Sequence, residues 1–272
     1  MMKLTRTFDF AGERVAYDIV GDGPPLVMVH GTPFSSHVWH RIAPELARDY
    51  RLHLYDLLGY GKSEMRADQD VSLGIQNQVL AALLSHWELE RPFVICHDFG
   101  AATVLRAHLL NGCEFDRMLI FDAVALKPWG SPFVQHVREH EAAFAGTPDY
   151  IHRAMLEAYI DGAVHRKLHG EELEPYLAPW IGELGKGAFY RQIAQMDQRY
   201  TDAVEPLYPK IRCPVSILWG IEDEWIPIAH GRRLADLIPH CRYAEIAGAG
   251  HLMQEDAPEA IVAEALRFFS AP

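Results

Sequence analysis

The sequence predicts the α/β class, with a mainly parallel central sheet and an inserted helical cap. Three observations lead there. Short apolar runs, the kind that fill strands buried on both faces, recur at Leu26–Val29, Arg51–Tyr55, Phe93–Cys96, Met118–Phe121 and Val215–Trp219. Helical patterns at Val38–Arg48, Leu73–Trp87 and Ala101–Leu110 separate the first four of them. From roughly Leu126 to Tyr208 no such run occurs.

Taken in chain order, Phe8 and Phe10, then Val15, Tyr17 and Ile19, alternate with polar residues. They predict two strands joined at Ala11-Gly12-Glu13. Gly21-Asp22-Gly23-Pro24-Pro25 breaks the chain before the first buried strand. The strand–helix alternation then runs to Met118–Phe121. The stretch Leu126–Tyr208 reads as several short helices punctuated by Pro128, Pro132, Pro148, Pro175 and Pro179. It lies between two sheet strands, so the chain must leave the sheet and return. A cap over the strand ends follows, because open α/β sheets bind ligands there. After Val215–Trp219 come a helix over Ile228–Ile238, a short strand at Arg242–Ile246 and a helix over Pro258–Phe269. The expected division is a core of residues 1–125 and 209–272 with a cap of residues 126–208.

Composition narrows the function. With 49% hydrophobic and 23% charged residues over 272 positions, the chain is not intrinsically disordered. A net charge of −12 makes nucleic acid and anionic membranes poor partners. Cys96, Cys113, Cys213 and Cys241 form no CxxC pair, which fits reduced thiols in a cytoplasmic protein. No apolar signal core follows Met1-Met2-Lys3-Leu4-Thr5-Arg6, and no apolar run would span a bilayer. The 15 histidines are conspicuous and by themselves uninformative.

The chemistry concentrates in Val94-Ile95-Cys96-His97-Asp98-Phe99-Gly100-Ala101-Ala102. A buried strand runs there into a helix through a tight turn, with small residues where backbones must approach. This is the place of a nucleophile elbow, with Asp98 where a serine would stand. As a plain strand–helix junction, Asp98 would only cap the helix. Chain order argues for more. Asp223 follows the Val215–Trp219 strand and His251 follows the last strand. His30-Gly31-Thr32-Pro33 follows the first buried strand, where an oxyanion loop belongs.

Nearly the whole chain resembles the α/β-hydrolases with an aspartate nucleophile: epoxide hydrolases, haloalkane dehalogenases and fluoroacetate dehalogenases. His30-Gly31-Thr32-Pro33 is similar to their H-G-x-P loop. Asp56-Leu57-Leu58-Gly59-Tyr60-Gly61-Lys62-Ser63 is similar to their D-x-x-G-x-G-x-S turn, and His97-Asp98-Phe99-Gly100 to their H-D-x-G elbow. The resemblance implies an α/β-hydrolase fold and a hydrolase that needs water and no cofactor. A carboxylate attacks saturated carbon without a general base and leaves an alkyl–enzyme ester. His251 would then activate water against that ester, with Asp223 orienting the imidazole. Thr32 and Phe99 would offer main-chain oxyanion donors. Asp122, after the Met118–Phe121 strand, competes with Asp223 for the acid role, since some haloalkane dehalogenases carry their acid there. Asp223 is favoured by its Gly-x-x-Asp setting. Glu222 and Glu224 read as solvated neighbours.

The leaving group divides the branches. Haloalkane dehalogenases hold the halide between N–H donors, and Thr32 and Phe99 stand at two of those places. Trp129 or Trp180 of the cap would have to supply a donor, against the simpler reading that both pack the cap. Fluoroacetate dehalogenases clamp a carboxylate with two arginines, where this chain has Phe99 and Ala102. Epoxide hydrolases use cap tyrosines as acids, and the cap region holds Tyr150, Tyr159, Tyr176, Tyr190, Tyr200 and Tyr208. Phe189-Tyr190-Arg191 is similar to the Trp-Tyr-Arg segment of that family, so Tyr190 is the first candidate and Tyr200 the second. The favoured substrate is therefore an epoxide, with a haloalkane as the alternative and a non-catalytic ligand-binding relative as a third reading. His30, Gly31, Pro33 and His97 are assigned to shaping the loops. His136-Val137-Arg138-Glu139-His140 spells a zinc motif, but a polar helix face is the better reading, and no metal is expected. His37, His40, Cys113 and Cys241 have structural readings only.

Overall fold

The computed structural model describes residues 4–66 and 68–270. Met1–Lys3, where the reading for a signal core began, lie outside the described residues.

The strands are β1 (Arg6–Phe10), β2 (Glu13–Val20), β3 (Pro25–Val29), β4 (Arg51–Tyr55), β5 (Phe93–His97), β6 (Met118–Phe121), β7 (Val215–Gly220) and β8 (Arg242–Ile246). They form one sheet in the order β1-β2-β4-β3-β5-β6-β7-β8. The β1–β2 and β2–β4 pairings are antiparallel, and every other pairing is parallel. From β3 to β8 each predicted run coincides with its strand to within one residue. The chain steps from β3 to β4 on one side and returns to β5 on the other. The carboxyl ends of β3 and β5 therefore flank the switch point where open sheets bind ligands.

The early helices are α1 (Ala43–Leu46), α2 (Leu73–His86) and α3 (Phe99–Asn111). The helix expected over Val38–Arg48 is instead a 3₁₀ turn at Ser36–Trp39 followed by the four-residue α1. Pro44 is the cause: it has no N–H and its ring clashes with the preceding turn, so a helix can begin there but not run through. Between β6 and β7 lie α4 (Pro132–Ala145), α5 (Asp149–Asp161), α6 (Glu174–Leu177), α7 (Gly182–Ala194) and α8 (Arg199–Asp202), with no strand among them. Pro132 opens α4 and Pro148 caps α5, so those prolines do punctuate helices. The chain closes with α9 (Ile228–Leu237), α10 (Met253–Asp256) and α11 (Pro258–Phe269).

β6 and β7 are buried along their whole length, and β3 and β5 at all but their first residue. Each large apolar side chain so buried contributes about 1.5–3 kcal/mol. Gly100 lets α3 cross β3: a Cβ there would sit 2.3 Å from the Val29 carbonyl oxygen. This contact fixes the start of α3, and with it Asp98, against the end of β3. No helix among the described residues is long and apolar enough to cross a membrane.

Candidate active site

Asp98 joins β5 to α3 at φ 52° and ψ −118°, a conformation that costs a non-glycine residue about 1–3 kcal/mol. The turn lifts its carboxylate over the sheet end. Oδ1 accepts the Thr32 N–H at 2.7 Å, and Oδ2 lies 3.3 Å from His251 Nε2. Gly31 makes room, because a Cβ there would stand 2.5 Å from Asp98 Oδ1. Phe99 lines the same space, and its amide, the first of α3, has no carbonyl one turn back to donate to.

His251 Nδ1 donates to Asp223 Oδ2 at 2.9 Å. The other Asp223 oxygen accepts the Trp225 and Ile226 amides at 2.8 and 2.9 Å, which hold the carboxylate toward His251. Asp122 is turned to the sheet: Oδ1 accepts the Gly220 N–H at 2.8 Å, and Oδ2 has no partner among the described residues. Burial, with the Asp223 charge adding, pushes the Asp122 pKa well above the usual carboxylate range. Burial opposes a charge on His251, but Asp223 and Asp98 outweigh it and hold its pKa well above that of a free imidazole.

The loops around these groups are fixed by hydrogen bonds to main chain. His30 Nδ1 donates to the Gly31 carbonyl at 2.8 Å, and Nε2 accepts the Leu57 N–H at 2.9 Å. That pairing needs a neutral ring, and burial lowers the His30 pKa accordingly. His97 Nε2 donates to the His251 carbonyl at 2.9 Å. The Pro33 carbonyl accepts the Trp180 indole N–H at 2.7 Å. Glu222 is half-buried and does more than meet solvent: its Oε2 accepts the Gly248 and Ala249 amides and so shapes the histidine loop. Asp256 ties that loop to the helical insertion, accepting the amides of Gly250, His165 and Arg166.

A cavity of about 40 Å³ opens onto Asp98, walled by Phe99, Val124, Trp129, Val134, Met196, Trp225 and Ile226. Among its walls one phenol appears, that of Tyr159 on α5. Its ring stacks on Trp225 at 4.4 Å, and Trp225 in turn lies 4.9 Å from His251. Burial raises the Tyr159 pKa, with the Asp98 charge adding, so the hydroxyl stays a donor.

The aromatic residues singled out from the sequence stand elsewhere or are engaged. Tyr190 is fully buried within the insertion, its hydroxyl bonded to His152 Nδ1 at 2.9 Å. Tyr200 accepts from Arg199, and its ring lies under Arg106 and Arg199. Neither lines the cavity; Tyr159 does. Trp129 lines it, but its N–H donates to Thr201 Oγ1 at 2.9 Å, and the Trp180 N–H is held by Pro33. Trp225 could have been found from its place two residues beyond Asp223. Tyr159 shares a helical stripe with His152, Leu156 and Ile160. Gln192, whose Oε1 accepts the Thr32 hydroxyl at 2.6 Å, carried no sequence signal. His136, Glu139 and His140 do cluster, with ligand atoms within 4.8 Å of one another. All three are exposed on α4 and none lines the cavity.

Residues 26–265 match the profile of the alpha/beta hydrolase family. The crystal structure of an alpha/beta hydrolase fold protein from Burkholderia ambifaria superposes with a TM-score of 0.96 at 53% identity, covering 98% of both chains. A meta-cleavage product hydrolase from Pseudomonas fluorescens superposes with a TM-score of 0.83 at 20% identity, over 98% of this chain and 97% of that one. An ancestral haloalkane dehalogenase does so at 0.79 and 21%, over 97% of both. The last two likenesses concern the fold alone.

Proposed function

The chain belongs to the alpha/beta hydrolase family, and on that premise we propose that it hydrolyses a small, mostly apolar electrophile through a covalent alkyl ester on Asp98. One observation carries this reading. A carboxylate occupies the elbow, with one oxygen on the Thr32 amide and the other facing an imidazole that Asp223 holds at 2.9 Å.

In the first step Asp98 Oδ2 attacks a saturated carbon and the bond to the leaving group breaks. An epoxide oxygen would take a proton from Tyr159, the phenol of the cavity wall. Esterification removes the Asp98 charge, one of the two that raise the His251 pKa. With its pKa lowered, the imidazole sheds its proton, and the neutral ring has a lone pair on Nε2 with which to take one from water. In the second step water adds to Cγ and passes a proton to His251 Nε2. Negative charge develops on Oδ1, where the Thr32 and Phe99 amides receive it. Collapse breaks Cγ–Oδ2, and His251 returns the proton to the departing oxygen; the water's second proton, left on the regenerated Asp98 carboxyl, goes to the Tyr159 phenolate, or to solvent where a halide has left.

An epoxide is favoured over a haloalkane for a specific reason. Both cap indole N–H groups near the site are occupied by protein acceptors, whereas the Tyr159 hydroxyl is bonded to no protein acceptor among the described residues. The apolar walls and the small volume favour a compact neutral substrate. The test is intact-mass analysis of His251→Gln incubated with panels of epoxides and haloalkanes. An epoxide should add its whole mass to Asp98, and a haloalkane its alkyl group alone. Unmodified protein across both panels, with the fold intact, would overturn the covalent mechanism.

A further inference from the structure

We propose that Gln192 of α7 is a positioning residue that aims the Thr32 main-chain amide at Asp98, and that it acts on ester hydrolysis rather than ester formation. The proposal rests on the two-step reading above and adds to it the part played by the helical insertion.

Gln192 is 2% exposed and does not line the cavity. Its Oε1 accepts the Thr32 hydroxyl at 2.6 Å and the Tyr60 hydroxyl at 3.1 Å, which fills both lone pairs of the amide oxygen. Tyr60 also lies 3.3 Å from Thr32 Oγ1, so the three groups close on one another. Thr32 is therefore tethered twice. Its side chain is held from α7, and its main-chain N–H is directed at Asp98 Oδ1 at 2.7 Å. Gln192 Nε2 is buried without a partner among the described residues, a costly arrangement that simple packing would replace with an apolar side chain. A second glutamine, Gln195, fastens the same helix to the core through Val71 and Gln69 and touches none of these groups.

The two half-reactions ask opposite things of the Thr32 amide. During ester formation the carboxylate loses its charge, so a hydrogen bond to Oδ1 gives no advantage in the transition state. During hydrolysis the carbonyl electrons move onto Oδ1, and the same bond strengthens. A misaimed amide should therefore slow the second step selectively.

Rapid-quench mass spectrometry of the working enzyme separates the steps. With Gln192→Met, ester formation should stay within about twofold of wild type and hydrolysis should slow about tenfold, so that the alkylated form accumulates in steady state. Thr32→Val should do the same without altering α7, and Thr32→Ser, which keeps the hydroxyl, should recover most of the hydrolysis rate that Thr32→Val loses. Because Gln192 acts through the Thr32 hydroxyl, the double variant should be no slower than either single one. Gln195→Met should change neither step.

Equal slowing of both steps by Gln192→Met, or no slowing, would overturn the proposal, as would effects of Gln192→Met and Thr32→Val that multiply. If the His251→Gln protein captures an ester while Gln192→Met accumulates none, the Gln192 role alone fails. If His251→Gln captures nothing, the covalent reading fails and this role falls with it.

Discussion

The two walls of the cavity are built by different means. On the sheet side, main chain holds most of the polar groups. Asp98 receives the Thr32 amide, Asp223 the amides of Trp225 and Ile226, Asp122 that of Gly220, and His97 gives its proton to a carbonyl. On the side of the helical insertion, many contacts join side chain to side chain, although the Trp180 indole is held by a carbonyl: Gln192 with Thr32 and Tyr60, Trp129 with Thr201, Tyr190 with His152, Tyr176 with Glu255. Main-chain anchors survive most substitutions around them, because any residue supplies the amide. Side-chain anchors are rewritten by a single replacement. On the proposed reading, the chemistry would sit on the wall that changes least, and selection among substrates on the wall that changes most easily.

The sharpest break would come on the sheet side. Asp223→Asn removes the charge that orients His251 and should lower turnover about 10³-fold or more, with the Asp98 ester accumulating. Asp122→Asn should leave turnover within a few fold, because Asp122 bonds the Gly220 amide and not His251. The opposite ranking in steady-state assays would transfer the acid role to Asp122.

A smaller effect is expected on the side of the helical insertion. Tyr159→Phe should slow epoxide opening about 10–100-fold and leave haloalkane capture nearly unchanged, since a halide leaves without a proton. Tyr190→Phe and Tyr200→Phe should each stay within about threefold of wild type. Equal losses across the three tyrosines would mean that the phenol of the cavity wall has no special part.

The smallest effect concerns stability. The Asp122 pKa is raised in the folded state, chiefly by burial. Its contribution to stability is complete below about pH 3.9, the unfolded value, and is lost as pH rises toward the folded one. Asp122→Asn should therefore melt with wild type near pH 4 and a few degrees higher, roughly, at pH 8. Parallel melting curves from pH 4 to 8 would show that the Asp122 carboxyl carries no such penalty.

The same division decided what could be read from the sequence. Asp98, Asp223, His251 and Thr32 each follow a sheet strand by a few residues, so the register of the sheet delivers them to one end whatever else varies. Tyr159, Tyr190 and Tyr200 lie on helices, where facing depends on phase and on how helices pack. A Tyr-rich insertion announces a phenol near the site but not which one. The similarity of Phe189-Tyr190-Arg191 to a family segment pointed to Tyr190, while the buried stripe of α5 carried Tyr159 into the cavity. Gln192 was illegible because its partners, Thr32 and Tyr60, are more than a hundred residues away.

Trp225 lies flat against Tyr159 on one side and is tilted over His251 on the other. A protonated imidazole quenches indole emission, and a neutral one does so far less. In the proposed two-step reaction the charge on His251 would fall when Asp98 is esterified and return when the ester is cleared. Each turnover should therefore pass through a bright and a dim interval, and a stopped-flow fluorimeter could follow the catalytic cycle with no label attached.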